Sequence, residues 1–377
     1  MKNTISRLFS AFFFFILLNA QAQQIPVWHN SSQSKTINGK NLPANRLFDL
    51  DIATFSKQLI TISKKGAGQS YKSNGTLLQF PSISGEMETY RVFETPLFSE
   101  ALSAKFPNIK SFTGVSVNNP QNQIKFTMDS FGFHGMLMSA GKTYYINPVA
   151  KGSATFFLAS KSDFESKNFS CAFDEGDVVK SIKNNIQNRV ETVNDGQLRT
   201  YRLALASTGE YSSFHINAAG VSSGTDTEKK AAVLSAMNTT MTRVNGVYER
   251  DLSITMEIIP NNDLIIFLDA ATDGLTNNDG GTLINEIQNV IDSRIGFSNY
   301  DIGHVFSTGG GGIAQLNSPC TTNKARGVTG LSAPVGDPFD IDYVAHEMGH
   351  QFGATHTFNN ACGNQRSNST AVETGSG

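Results

Sequence analysis

The chain has 377 residues, 39% of them hydrophobic, and its 30 Lys and Arg against 32 Asp and Glu give a formal net charge of −2. That length accommodates two domains of ordinary size, and the apolar content excludes a wholly disordered chain. The charge balance leaves no electrostatic footprint for nucleic acid, and no polybasic run points to a membrane surface.

At the N-terminus, Lys2 and Arg7 make a positive start, Leu8 to Leu18 is almost wholly apolar, and Ala20-Gln21-Ala22 puts small residues where a signal peptidase reads. This is the pattern of a secretory signal over 1–22. The apolar run is about half of the roughly 20 residues a spanning helix needs. The expectation is therefore a secreted, extracellular protein with no membrane span. Residues 23–171 read as one β-rich region. Ile124 to Met128 alternates apolar and polar side chains, as a half-buried strand does. Gly132 to Met138 and Thr143 to Ile146 are further strands, with turn residues at 118–122 and 140–142. His29 and His134 stand alone and read as surface or packed histidines. Residues 172–198 are polar and charged, the composition of an exposed linker open to proteolysis, with a short helix at 184–189.

From 199 the pattern changes. Thr200 to Ala206 is a strand, and Thr227 to Tyr248 carries apolar residues every three or four positions, the period of a long amphipathic helix. Asp251 to Ile259 reads as a strand, Thr282 to Ile295 as a second amphipathic helix, and Ile302 to Phe306 as another strand. Such alternation argues for an α/β sheet of mixed direction. The glycine run 309–312 is no phosphate loop, because no Gly-Lys-Ser/Thr follows. It reads either as a flexible loop or as a rim strand at Gly311, Gly312, Ile313 and Ala314, where small residues would let an extended substrate pair by its main chain. A last helix should start with Asp340 as N-cap, turn Ile341, Val344, Ala345 and Met348 inward, and end after Phe352, where Gly353 lets the backbone leave.

That helix carries His346-Glu-Met-Gly-His350, and His356 follows it, so three of the seven histidines fall within eleven positions. Histidines four apart on a helix share one face and can bind one metal ion. A straight helix would carry His356 away; the bend at Gly353 lets it return as a third ligand. Glu347, beside the first histidine, is within reach of a water at the metal's open position. Glu373 is a rival third ligand, but Ala371 to Gly377 is a poor helix and His356 is the better candidate.

HEMGHQFGATH resembles the HExxHxxGxxH signature of the metzincin metallopeptidases. Gly309 to Ala314, Lys324 to Thr329 and Thr355 to Phe358 are similar to the reprolysin-like (adamalysin-type) branch, in the form common in secreted bacterial proteins. The resemblance covers 199–377 strongly; 23–171 is more weakly similar to the propeptides of those proteins. It implies an α/β (α+β) metzincin catalytic domain with a mixed five-stranded sheet, preceded by a β-rich propeptide. It implies Zn2+ as cofactor, His346, His350 and His356 as its ligands, Glu347 as general base, a protein or peptide substrate, and the chain's own propeptide as inhibitor. Three cysteines leave one to explain. Cys320 and Cys362 flank the histidine helix and read as a disulfide. Cys171 then reads either as an incidental thiol or, as in the cysteine switches of the family, as a soft ligand that keeps the zymogen latent. Metzincins carry a methionine turn after the third histidine, and none follows Met348, so the sequence is read as truncated at its C-terminus. The reading that follows is a secreted zinc endopeptidase made as a zymogen; the alternative is a secreted binding or adhesion protein with a degenerate peptidase domain.

Overall fold

A computed structural model of the chain describes residues 26–163 and 195–356, apart from 33–34, 38–39, 43, 67, 73, 130–131, 161–162, 310 and 355. The expected signal segment, the 184–189 helix, Cys171, Cys362 and Glu373 lie outside these residues. No helix among the described residues is long and apolar enough to cross a membrane.

The N-terminal half is built from strands β1 (Trp28–Asn30), β2 (Lys35–Ile37), β3 (Lys40–Leu42), β4 (Leu47–Leu50), β5 (Thr76–Pro81), β6 (Met87–Glu94), β7 (Lys110–Ser116), β8 (Gln123–Asp129), β9 (Gly132–Ser139), β10 (Lys142–Pro148) and β11 (Thr155–Ser160). Helices α1 (Ile52–Ile60) and α2 (Glu100–Lys105) interrupt them, each capped by an N-cap side chain, Asp51 and Ser99. All but β2 and β3 join one antiparallel sheet in the order β1-β4-β11-β10-β9-β8-β7-β6-β5. The sheet curls until its edges meet: Trp28 of β1 lies 6.4 Å, ring to ring, from Phe80 of β5. Inside the curl Phe55, Phe80, Phe126, Phe133 and Phe156 are fully buried, each burial contributing about 1.5–3 kcal/mol.

The C-terminal half contains strands β12 (Arg199–Ser207), β13 (Ile254–Ile258), β14 (Ile302–Ser307), β15 (Gly312–Ala314) and β16 (Gly327–Gly330) in the order β13-β12-β14-β16-β15. Four run parallel, and β15 closes one edge antiparallel to β16. This is the mixed five-stranded sheet expected from the alternating pattern. Helices α3 (Gly209–Ala219), α4 (Asp226–Leu252) and α5 (Gly280–Ile295) supply its layers. The α4 apolar stripe (Leu234, Met237, Met241, Val244, Tyr248) packs against one face of the sheet, and Leu283, Ile284, Ile287 and Ile291 of α5 against the other. A capping box, Thr225 with Glu228, starts α4. The helix runs four residues past the expected Tyr248, so the following strand starts at Ile254 rather than Asp251. Arg250, Asp251 and Leu252 are polar or helix-favouring, and only the left-handed Ser253 stops the helix.

The two halves share contacts rather than merely adjoining. The backbone of Leu97 and Ser99 bonds Ile258 of the outer strand β13, and Leu97, Phe98, Leu102 and Phe106 enter the core beneath α4. Strand β8 explains the second contact. Ile124, Phe126 and Met128 point into the aromatic core, while the alternate residues turn to the polar side of α4. There Lys125 pairs with Glu249 at 2.7 Å, Thr127 with Thr239 at 3.0 Å, and Asp129 with Ser235. The polar half of the alternation therefore faces a second element, not solvent.

Candidate metal centre

The helix that carries the histidines starts earlier than expected and for a different reason. Pro338 at its first turn begins α6 (Asp337–Phe339), which runs on through a π-helical stretch (Asp340–Ala345) into α7 (His346–Gln351). Asp340 is not the N-cap. It is buried inside the helix, where its carboxylate accepts from Arg243 of α4 at 2.7 Å and from the Thr240 hydroxyl at 2.6 Å. The other Arg243 amino group donates to Asn147 Oδ1 at 2.6 Å, and the guanidinium lies 5.1 Å from the Tyr145 ring, both on β10. Burial pushes the Asp340 carboxyl up, with Arg243 and Thr240 opposing it. Val344 and Met348 are buried in the core as expected, but Ile341 packs against Met136, Met138 and Tyr145 of the N-terminal sheet.

The end of α7 is fixed by its surroundings. The Ser318 amide donates to the Gln351 carbonyl, which the helix end would leave without a partner, and the Asn317 amide joins that of Gly353 on the His350 carbonyl. Gly353 sits at φ +98°, a conformation open to glycine, and a Cβ there would overlap Asn317 Oδ1. The chain turns at that point and brings His356 back. His346 Nε2 lies 3.0 Å from His350 Nε2 and 3.2 Å from His356 Nε2. One ligand atom from each of the three histidines falls within 4.8 Å of the others. Ligands about 2.0–2.1 Å from a tetrahedral zinc sit ~3.3 Å apart, so the spacing suits one such ion. The His350 Nδ1–H donates to the Ala354 carbonyl at 2.7 Å, which leaves the Nε2 lone pair facing the common point. Burial, reinforced by the neighbouring imidazoles, lowers the His346 pKa to about 3, and burial lowers that of His350 to about 4. Both are neutral near pH 7, the form that binds metal. The donor set therefore fits zinc.

Glu347 is fully buried between this helix and the sheet edge. Its carboxylate occupies the place a side chain on Gly312 would take: a Cβ there would overlap Oε1 and stand 2.5 Å from Cδ. Gly312, Ile313 and Ala314 form β15, so the glycine run is a strand at its C-terminal end, and Gly311, just before it, accepts from the Gly330 amide at 2.9 Å. Among the described residues no strand pairs with the outer edge of β15. Cys320 is exposed.

Sequence reading missed the groups that support this centre. Tyr248 of α4 donates its hydroxyl to the Ala345 carbonyl at 2.8 Å; burial, then the Glu347 carboxylate, pushes its phenol up. Gln351 and His304, both fully buried, bond each other at 2.8 Å. Burial lowers the His304 pKa to about 4. Gln351 follows His350 directly, and a polar residue in a helix stripe that must be buried was the available signal. His304, inside an apolar strand, gave none.

Sheet, helix and imidazole triad together frame a site that could hold one metal ion. Residues 234–357 match the family model described as metallo-peptidase family M12B, reprolysin-like. Over these residues the chain is similar to the reprolysin-like metzincins. The crystal structure of metalloproteinase-II from Bacteroides fragilis is 13% identical, with 81% of this chain and 86% of that one covered at a TM-score of 0.39. A chain described in a structure of a chaperone-substrate complex is 12% identical, with 33% of this chain and 91% of that one covered at a TM-score of 0.23. No curated protein matches the chain.

Proposed function

We propose that the chain is a secreted zinc-dependent endopeptidase made as a zymogen, with 23–171 as propeptide and 172–198 as the activation segment. The observation that carries the reading is the convergence of the His346, His350 and His356 side chains beside a buried Glu347 that rests on the sheet edge. A zinc ion held by the three imidazoles would supply Lewis acidity at the scissile carbonyl and a water of pKa about 7. Glu347 takes the proton of the attacking water and later delivers it to the leaving amine. The outer edge of β15, at Gly311, Gly312, Ile313 and Ala314, pairs with the extended substrate and aligns the scissile bond. Cys171 and the disulfide between Cys320 and Cys362 remain parts of the proposal: a latency ligand, and a tie across the histidine helix.

The test uses the chain nicked within 172–198 and an unfolded protein substrate. Cleavage should stop with a zinc chelator and return when zinc is restored. Glu347→Ala should cut the rate by roughly 10²–10⁴-fold, the contribution of a positioned general base, while zinc content stays unchanged. Full activity in Glu347→Ala would remove that residue from the chemistry. A zinc-loaded wild type that cleaves nothing would favour a binding role.

A further inference from the structure

We infer that a buried hydrogen-bonded chain, Gln351–His304–Thr329, sets the spacing between α7 and β15 and thereby positions Glu347. The inference rests on the endopeptidase reading for its consequence, and on geometry alone for its structure.

The atoms assign the chain's direction. Gln351 Nε2 donates to the Gly303 carbonyl at 2.9 Å and to the Ser318 hydroxyl at 3.3 Å, so its Oε1 is the acceptor. His304 Nδ1 therefore carries the proton and donates to that oxygen at 2.8 Å. His304 Nε2 is left as an acceptor, and the Thr329 hydroxyl donates to it at 2.8 Å. All three residues are fully buried. Thr329 on β16 stands directly opposite Gly312 on β15. Gly312 in turn is covered by the Glu347 carboxylate, and Glu347 lies one helical turn before Gln351 on α7.

The path is thus a closed ring. From Glu347 it crosses to Gly312, through the strand pair to Thr329, through two hydrogen bonds and an imidazole to Gln351, and back along one turn of helix. Helical turns and sheet pairs are stiff, so the two side-chain hydrogen bonds are where the ring can open. Close-packed interiors transmit such changes as discrete shifts. Strand β14, which carries His304, has apolar cores on both sides, where Val305 and Phe306 pack. A polar trio in that setting serves orientation, since apolar residues of the same shape would fill the space as well. The three are positioning residues: none offers a ligand to the metal point, and Thr329 meets the substrate edge only through the pairing of β16 with β15.

Thr329→Val removes the hydroxyl at nearly constant volume, Thr329→Ser keeps it, and Thr329→Ala is a second variant should valine not be accommodated. Hydrogen exchange is followed over 311–316 in the full chain, with urea unfolding alongside. The expected result is exchange at β15 faster by about tenfold or more in Thr329→Val, with the rest of the sheet unchanged and Thr329→Ser close to wild type. Peptide kcat/KM should fall by about 10–100-fold in Thr329→Val and stay near wild type in Thr329→Ser, since both the Glu347 carboxylate and the substrate-pairing strand are displaced. Exchange at β15 equal to wild type in both the valine and alanine variants overturns the inference. So does faster exchange spread evenly over the sheet. A wild type that cleaves nothing would sink the endopeptidase reading, while the exchange result still decides this one.

Discussion

Gly312→Ala will fold, bind zinc and lose peptidase activity by roughly 10²–10⁴-fold, nearly as much as removal of Glu347 itself. A methyl group at this position would overlap Glu347 Oε1 and come within 2.5 Å of Cδ and 2.8 Å of Cγ, distances that side-chain carbons do not tolerate. Two relaxations are open. Glu347 can turn away from β15, which takes its carboxylate from the place where the proposed mechanism has it meet water. Alternatively β15 can retreat, which breaks its pairing with Val328 and Thr329 and moves the edge proposed to hold the substrate. Either route leaves the three imidazoles untouched, so zinc content and ligand geometry should match wild type. The quantity to measure is kcat/KM beside zinc stoichiometry. A Gly312→Ala enzyme with wild-type kcat/KM would show that Glu347 works from somewhere other than its resting place on this strand.

Arg243→Met will destabilise the chain by about 3–5 kcal/mol, the cost of leaving one partner of a buried ion pair alone. Arg243 and Asp340 are 3% and 2% exposed at their side chains, and the same guanidinium holds Asn147 of the N-terminal sheet. Without Arg243 the upward push of burial on the Asp340 carboxyl is opposed only by Thr240, so the folded-state pKa rises further above the ordinary 3.8. The native state then holds a proton that the unfolded state has released, and stability falls as pH rises from about 4 through the new pKa. The deficit relative to wild type should therefore shrink on acidification toward pH 4. The double variant Arg243→Met with Asp340→Leu should recover most of the loss. Urea unfolding at two pH values reads all of this. A loss under about 1 kcal/mol, or a deficit that grows on acidification, would show that the pair does not anchor the histidine helix.

These two positions also mark where sequence reasoning succeeded and where it stopped. The histidine spacing, the bend at Gly353 and the mixed sheet were legible because each follows from a local rule: helical period, left-handed glycine, alternation of strand and helix. Asp340 was misread because a capping residue and a buried ion-pair partner look alike without Arg243, 97 positions away, beside it. The outward side chains of β8 were equally opaque. Lys125 and Thr127 satisfy the alternation of a strand facing water, yet they are 6% and 1% exposed, because the face they form is covered by the polar side of α4. Alternation reports that a strand has two unlike faces; it does not report what lies against the polar one. His304 carried no local mark at all, since its meaning comes from Gln351 and Thr329, each brought to it by the sheet.

The most direct measurement is X-ray absorption at the zinc edge, on wild type and on His356→Ala, with metal content determined in parallel. Wild type should hold one zinc per chain with three imidazole nitrogens at about 2.0–2.1 Å, and His356→Ala should lose one nitrogen and bind at least roughly 10²-fold more weakly. A zinc shell with two imidazoles in both proteins, or no tightly bound zinc in wild type, would contradict the convergence on which the endopeptidase reading depends.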